Sequence, residues 1–379
     1  MTNLIEKRHP LDSEAHIQNL VINNKDVQQH IISNMNLTSL TNIEFSKCKP
    51  YINRIIPDIK IVQGNKLIAL MECKGSKINV TDYVRGIGQL FQYEYFAEQN
   101  AKEKNNNNLE YSKDFQTLYL IPSVVTINND FNISKFKYPN TSKVLQINPR
   151  NYVVRNFSKE QRARFENLGN NLIAVSEYYF RDIRIFELYI LLHHLNKFHQ
   201  NNSIKLRRSD IEKNELRQYQ IINNNNWRNA FITLSGLGLI TDKNTLSVAG
   251  MKFVEYNFFD FLYNVYYSYI EPYAQEILPY LIDNPNIKLS ELNDQIRQKH
   301  GGSNVLFITE SENRYLSSWL GIFRDDYGIL DFEPQKVQRK VNYNPLKYNH
   351  SKQKDKNSFI EMTKKYHRFH PALLKIIND

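Results

Sequence analysis

Leu67-Ile68-Ala69-Leu70-Met71 is apolar at every position, which predicts a strand buried on both faces at the centre of a sheet rather than an amphipathic edge strand. Gly64-Asn65 ahead of it predicts a hairpin turn from a strand that carries Asp58. Charges follow directly at the end of the apolar run, as Glu72-Cys73-Lys74. Glu72 and Lys74 are two apart and share one strand face, while Cys73 points to the other. Upstream, Asp12 or Ser13 predicts the cap of a helix with Glu14, Ile17, Leu20 and Val21 on its inward face. Downstream, a helix from Asp82 to Ala97 sets Arg85, Gln89 and Tyr93 along one stripe, able to face DNA or to brace the hairpin. The β-like runs Phe115 to Ile121 and Lys143 to Ile147 would complete the sheet, and the polar segment Ser158 to Asn170 reads as a connection.

From about residue 177 the periodicity becomes helical. Ile183 to Leu195 forms an apolar-striped helix, Ser209 caps a second over Asp210 to Tyr219, and Trp227, Ala230, Phe231 and Leu234 mark a third. Gly236 and Gly238 stop it, and Leu239 to Val248 predicts a short hairpin pivoting on Asp242-Lys243-Asn244. Three helices and a small hairpin resemble a winged helix-turn-helix domain. Asn225, Asn226, Arg228 and Asn229 avoid the apolar stripe of the third helix and carry side chains suited to reading base edges. A long aromatic helix, Phe253 to Tyr269, reads as core or interdomain packing rather than a stacking platform for bases. A looser copy follows, with helices at Ala274 to Ile282, Leu289 to Lys299 and Ser311 to Phe323, then β-like Ile329 to Phe332 and Lys336 to Val341. In its third helix Leu316, Trp319, Leu320 and Phe323 form the apolar stripe, leaving Asn313, Arg314 and Ser317 outside it. The expected domains are 1–176, 177–271 and 272–379, an α/β domain with a mixed sheet flanked by helices and then two mainly α winged-helix domains.

Composition narrows the classes. A hydrophobic content of 41% with 12% aromatic residues excludes a disordered chain. No apolar run is long enough for a membrane span, and MTNLIEKRHP lacks an apolar signal core, so a cytoplasmic protein without membrane contact is expected. Two cysteines, Cys48 and Cys73, cannot build a disulfide framework or a four-cysteine metal site. GxxxxGK[ST] and GxSxG motifs are absent. The net charge of +10 suits a polyanion partner, and it is unevenly spread. Residues 276–333 hold five Lys/Arg against ten Asp/Glu, whereas 334–379 hold eleven against three, a basic segment able to follow a phosphate backbone.

The charges around the hairpin carry the chemistry. Attack on a phosphodiester needs a hard cation, which carboxylate oxygens bind, and a water whose deprotonation a nearby amine can assist. Asp58, Glu72 and Lys74 supply these groups, Cys73 adds a backbone carbonyl, and an inward Glu14 adds a further carboxylate. Burying Glu72 and Lys74 costs of order several kcal/mol per ion unless they pair or bind metal.

Residues 10 to 125 resemble the PD-(D/E)XK nuclease superfamily, in which type II restriction endonucleases are the best-known members. The resemblance rests on Pro57-Asp58, on Glu72-Cys73-Lys74, on Glu14 in the preceding helix and on Gln89 to Tyr93, which matches the QxxxY pattern of the RecB-like branch. It implies a restriction-endonuclease-like fold and Mg2+-dependent hydrolysis of double-stranded DNA leaving a 5′-phosphate. Asp58, Glu72, the Cys73 carbonyl and Glu14 would hold the metal, and Lys74 would orient and activate water. One active site cuts one strand, so a homodimer or sequential nicking is implied, and a type II enzyme would have a cognate DNA methyltransferase in the same system. A methylation-dependent restriction nuclease and a transposon end-cleaving nuclease fit the same features. A non-catalytic winged-helix regulator is the alternative from another class.

Overall fold

In the computed structural model the apolar run lies within β3, the third strand of a six-stranded mixed sheet whose strands stand in chain order. The strands are β1 (Ile43–Lys47), β2 (Ile59–Gln63), β3 (Lys66–Cys73), β4 (Glu110–Pro122), β5 (Ser142–Ile147) and β6 (Val154–Asn156). β1, β2 and β3 form an antiparallel meander, β4 and β5 run parallel to β3, and β6 turns back antiparallel to β5. Residues 11–35, 42–51, 54–102, 109–128, 130–180, 183–201, 208–209, 211, 227–333, 342–345, 349 and 355–369 are described. The chain divides into two compact units, Met1–Asn167 and Leu168–Asp379.

The two-residue Gly64-Asn65 turn joins β2 to β3, with Gly64 at φ 61°, a conformation glycine adopts without a Cβ clash. Every residue of β3 after Lys66 is buried, because helices cover both faces of the sheet. On one face lie α1 (Glu14–Asn23) and α2 (Lys25–Asn34), whose Ile17, Val21, Val27 and Ile31 pack with Met71, Cys73, Leu118 and Leu120. Ser13 caps α1 by accepting the His16 N–H, and Asn24 both ends α1 and caps α2. The crossover α3 (Val80–Glu98) connects β3 to its parallel neighbour β4, buries Tyr83, Ile87, Leu90 and Tyr93, and is capped by Asn79. The expected connection over Ser158 to Asn170 instead contains α4 (Lys159–Phe165). Ser158 caps it, and Gln161 and Phe165 bury one face.

Unit 168–379 is mainly helical: α5 (Ile185–Asn201), α6 (Arg228–Gly236), α7 (Val248–Phe253), α8 (Phe258–Val265), α9 (Glu271–Asp283), α10 (Leu289–Lys299), α11 (Arg314–Gly321) and α12 (Lys356–Tyr366). The α6 stripe Trp227, Ala230, Phe231 and Leu234 is buried as its spacing predicts. The hairpin after it is reduced to a single antiparallel bridge, Ile240 to Leu246, turning at Asn244 with φ 57°. The expected second helix falls almost wholly outside the described residues, as do Asn225 and Asn226. The aromatic helix expected over Phe253 to Tyr269 is interrupted: α7 ends at Phe253 and Asn257 caps α8 anew, its side chain accepting the Asp260 N–H. α10 has the predicted bounds. Ile329 to Phe332 forms no strand; Gly328 turns the chain at φ 62°, and only Asp331 bridges, to Asn344. The run is apolar because Ile329 and Leu330 are buried loop residues. Lys336 to Val341 lies outside the described residues. Leu172–Ile173 and Asn304–Val305 add a two-stranded parallel pair. Among the described residues no helix is long and apolar enough to cross a membrane.

Candidate active site

The end of β3 brings together four of the residues singled out in the sequence. At the end of the strand Ala69, Met71 and Cys73 join the apolar core under α1 and α2, whereas Glu72 turns toward α3. Lys74 Nζ lies 2.6 Å from Glu72 Oε1 and 2.6 Å from Glu14 Oε1. Tyr93 donates its hydroxyl to Glu72 Oε2 at 2.5 Å, so both carboxylate oxygens of this fully buried residue are engaged. Asp58 stands just before β2, and its Oδ2 accepts the Cys73 N–H at 2.7 Å. The Lys74 N–H donates to the Leu120 carbonyl on β4, so the Cys73 N–H and C=O point the other way, toward Asp58.

Burial and like charge set the electrostatics. Burial raises the Asp58 carboxyl to about 7, aided by the neighbouring Glu72 and opposed by the Cys73 N–H. Burial also raises Glu72, against the Lys74 charge and the bonds from Lys74 and Tyr93. Burial alone would lower Lys74, but the Glu72 charge and the bonds to Glu14 and Glu72 outweigh it and push the amine up to about 12. Lys74 is therefore an ammonium at neutral pH. It can donate hydrogen bonds and stabilise negative charge, but it has no lone pair with which to take a proton from water.

Two carboxylates that resist ionisation side by side are what a hard divalent cation relieves. Asp58 and Glu72 with the Cys73 carbonyl make an all-oxygen donor set that fits one. Glu14 is drawn to Lys74 with its side chain 46% exposed, and among the described residues no three His, Cys, Asp or Glu side chains cluster as a complete ligand set.

A second group of contacts, missed in the sequence, fixes Glu14. The Ser76 N–H donates to the Leu11 carbonyl at 3.0 Å, the Ser76 hydroxyl bonds Asp12 Oδ1, and Lys77 pairs with Asp12 Oδ2 at 3.5 Å. Gly75 lies so close that a Cβ there would stand 2.3 Å from the Asp12 carbonyl oxygen. This latch ties the start of α1 to the loop after Lys74. Its signal in the sequence was only a glycine directly after the ExK string, too small to separate from an ordinary turn. Tyr119 on β4 was missed too; its hydroxyl donates to the Tyr83 carbonyl under Gly86, on the Glu72 side of the sheet.

The stripe Arg85, Gln89 and Tyr93 divides. Tyr93 is buried and bonded to Glu72, so it braces the site and has no surface to offer DNA. Arg85 is exposed and paired with Asp82, and Gln89 is partly exposed. Arg228 and Arg314 are exposed at the first positions of α6 and α11, with Asn229 partly buried beside Arg228. Comparison with models of known protein families, with curated proteins and with solved structures returns no match.

Proposed function

We propose that this protein is a magnesium-dependent DNA endonuclease of the PD-(D/E)XK kind, acting as a sequence-specific, type II restriction enzyme on double-stranded DNA. The observation that carries the reading is the convergence of Asp58, Glu72, Lys74 and Glu14 at the buried end of a central strand, held by bonds from both flanking layers. A charged group this deeply buried is costly to keep for structure alone. Asp58, Glu72 and the Cys73 carbonyl would hold the ion. When bound, magnesium supplies Lewis-acid neutralisation of the scissile phosphate and lowers the pKa of the attacking water.

The ammonium of Lys74 orients the attacking water and stabilises charge developing on the phosphate. Tyr93 holds Glu72 in one orientation by its hydroxyl, and the latch at Asp12, Gly75 and Ser76 holds Glu14 against Lys74. In the second unit, α6 and its reduced hairpin support a winged-helix recognition module, with Arg228 and Asn229 toward base edges. Arg314 would serve a second, looser copy. A cognate methyltransferase belongs to the same proposal.

Magnesium titration of plasmid cleavage tests it. Asp58→Ala should remove cleavage at every magnesium concentration, and Glu14→Gln should raise the concentration needed for half-maximal cutting. Wild-type protein that binds duplex DNA without cutting it in any divalent metal would favour the non-catalytic regulator instead.

A further inference from the structure

The solvent face of α3 carries an apolar row beside the exposed Thr81, Arg85 and Gln92. Val80, Val84, Phe91 and Tyr95 are 42, 46, 51 and 58% exposed. At about 100° per residue these four and Gly88 fall within one arc of roughly 80°, opposite the buried Tyr83, Leu90 and Tyr93. Large apolar side chains scattered singly are ordinary on a protein surface, but a row of four along one helix marks a contact surface.

The spacing of the row identifies what covers it. Val80, Val84, Phe91 and Tyr95 are separated by four, seven and four residues, a pattern that reads the same from either end. A second α3 laid antiparallel, centred between Ile87 and Gly88, brings Val84 opposite Phe91 and Val80 opposite Tyr95. Each aromatic ring then meets a smaller valine. The same contacts recur across the two-fold axis, as an isologous interface requires. Few foreign partners would call for such self-complementarity.

Gly88 is an independent observation. A Cβ there would meet nothing within 4 Å among the described residues, so none of them gives a reason for glycine in the middle of this helix, where it is weaker than alanine. Gly86 differs, since a Cβ there would strike the Tyr119 hydroxyl. At the centre of an antiparallel crossing, Gly88 lies where two backbones approach most closely. The charges agree: Lys77, exposed and paired with Asp12, precedes the N-terminus, and the exposed Glu98 closes the C-terminal end, so antiparallel pairing sets opposite charges side by side.

We propose that α3 is a self-association surface through which two copies of this chain form a two-fold dimer, crossing at Gly88. The inference stands apart from the nuclease reading, because it rests on none of the residues at the end of β3. One helix pair is a small contact against the roughly 1,200–2,000 Å² that specific interfaces bury, so association depends on concentration.

Sedimentation velocity of the full chain over about 1–100 µM should show a monomer passing to a dimer. Phe91→Glu should weaken association roughly ten-fold or more with an unchanged circular dichroism melt. Gly88→Ala should raise thermal stability yet weaken the dimer. A register test uses cysteines in a Cys48→Ser background. Gly88→Cys should be joined across the dimer by a short bismaleimide, and Val80→Cys should not, because its two copies lie about 22 Å apart along the axis. A wild-type monomer at the highest concentration would overturn the proposal. So would a Phe91→Glu protein that associates like wild type, or a Val80→Cys protein that cross-links as readily as Gly88→Cys.

Discussion

Tyr93→Phe removes one oxygen atom and leaves the packing of the ring almost unchanged. In the wild type that hydroxyl donates at 2.5 Å to Glu72, whose other oxygen is held by Lys74. A hydrogen bond to a charged acceptor is worth about 1.5–3 kcal/mol, and a buried acceptor left unpaired gives up the whole of it. The bond holds the Glu72 carboxyl down against the rise that burial imposes. Losing it lets the carboxyl rise further, since burial and the Glu14 charge then act with one less opposing bond. The folded Glu72 binds its proton more tightly than the unfolded chain does, so stability falls as pH rises from the unfolded value toward the folded one, and the loss is complete above it. The variant should therefore lose about 1.5–3 kcal/mol in urea denaturation at alkaline pH, and progressively less as falling pH protonates Glu72, which then needs the bond less. The acid limb of any cleavage pH profile should shift upward in the same variant. A pH-independent loss below about 0.5 kcal/mol would refute the reasoning and make Tyr93 a packing residue.

Gly75→Ala should cost about 1–3 kcal/mol and reduce cleavage, since its Cβ must displace the Asp12 backbone and with it Glu14; denaturation together with cleavage rates checks both effects. Asp326, buried with Oδ1 accepting the Ile185 N–H and Oδ2 without a hydrogen-bond partner among the described residues, has its carboxyl raised from 3.8 to about 7 chiefly by burial. Its stability cost therefore grows as pH rises from about 4 to 7 and is complete above that, at most about 4 kcal/mol, so Asp326→Asn should exceed wild-type stability at pH 8 and match it near pH 4 in urea midpoints. Arg228→Ala should weaken specific binding by about 1–3 kcal/mol and relax selectivity at one base pair, measured on cognate and singly substituted duplexes.

The heart of the α/β unit was legible because local signals agreed with one another. The Gly64-Asn65 turn, the unbroken apolar run of β3 and the Ser13 cap each specify an element, and together they place Asp58, Glu72, Lys74 and Glu14 within reach. The latch was not legible, because the contacts of Gly75 and Ser76 with Leu11 and Asp12 join segments far apart in sequence. Tyr93 was visible as part of a stripe, but periodicity alone could not say that it lies on the buried side while Arg85 lies outside. In the second unit, the apolar stripe of α6 survived translation into structure. Ile329 to Phe332 did not: β-like composition there records burial in a loop, and the single bridge from Asp331 to Asn344 does not extend into a strand. The two-residue strands at Leu172 and Asn304 are too short to leave a pattern.

Cleavage of a duplex plasmid in magnesium by wild type and by Lys74→Ala, with fragment ends sequenced and the fold of both proteins checked by circular dichroism, tests the central claim most directly. The account predicts cuts bearing 5′-phosphates from the wild type, and a variant that still binds DNA but cuts none. Cleavage by Lys74→Ala at a near wild-type rate would contradict it.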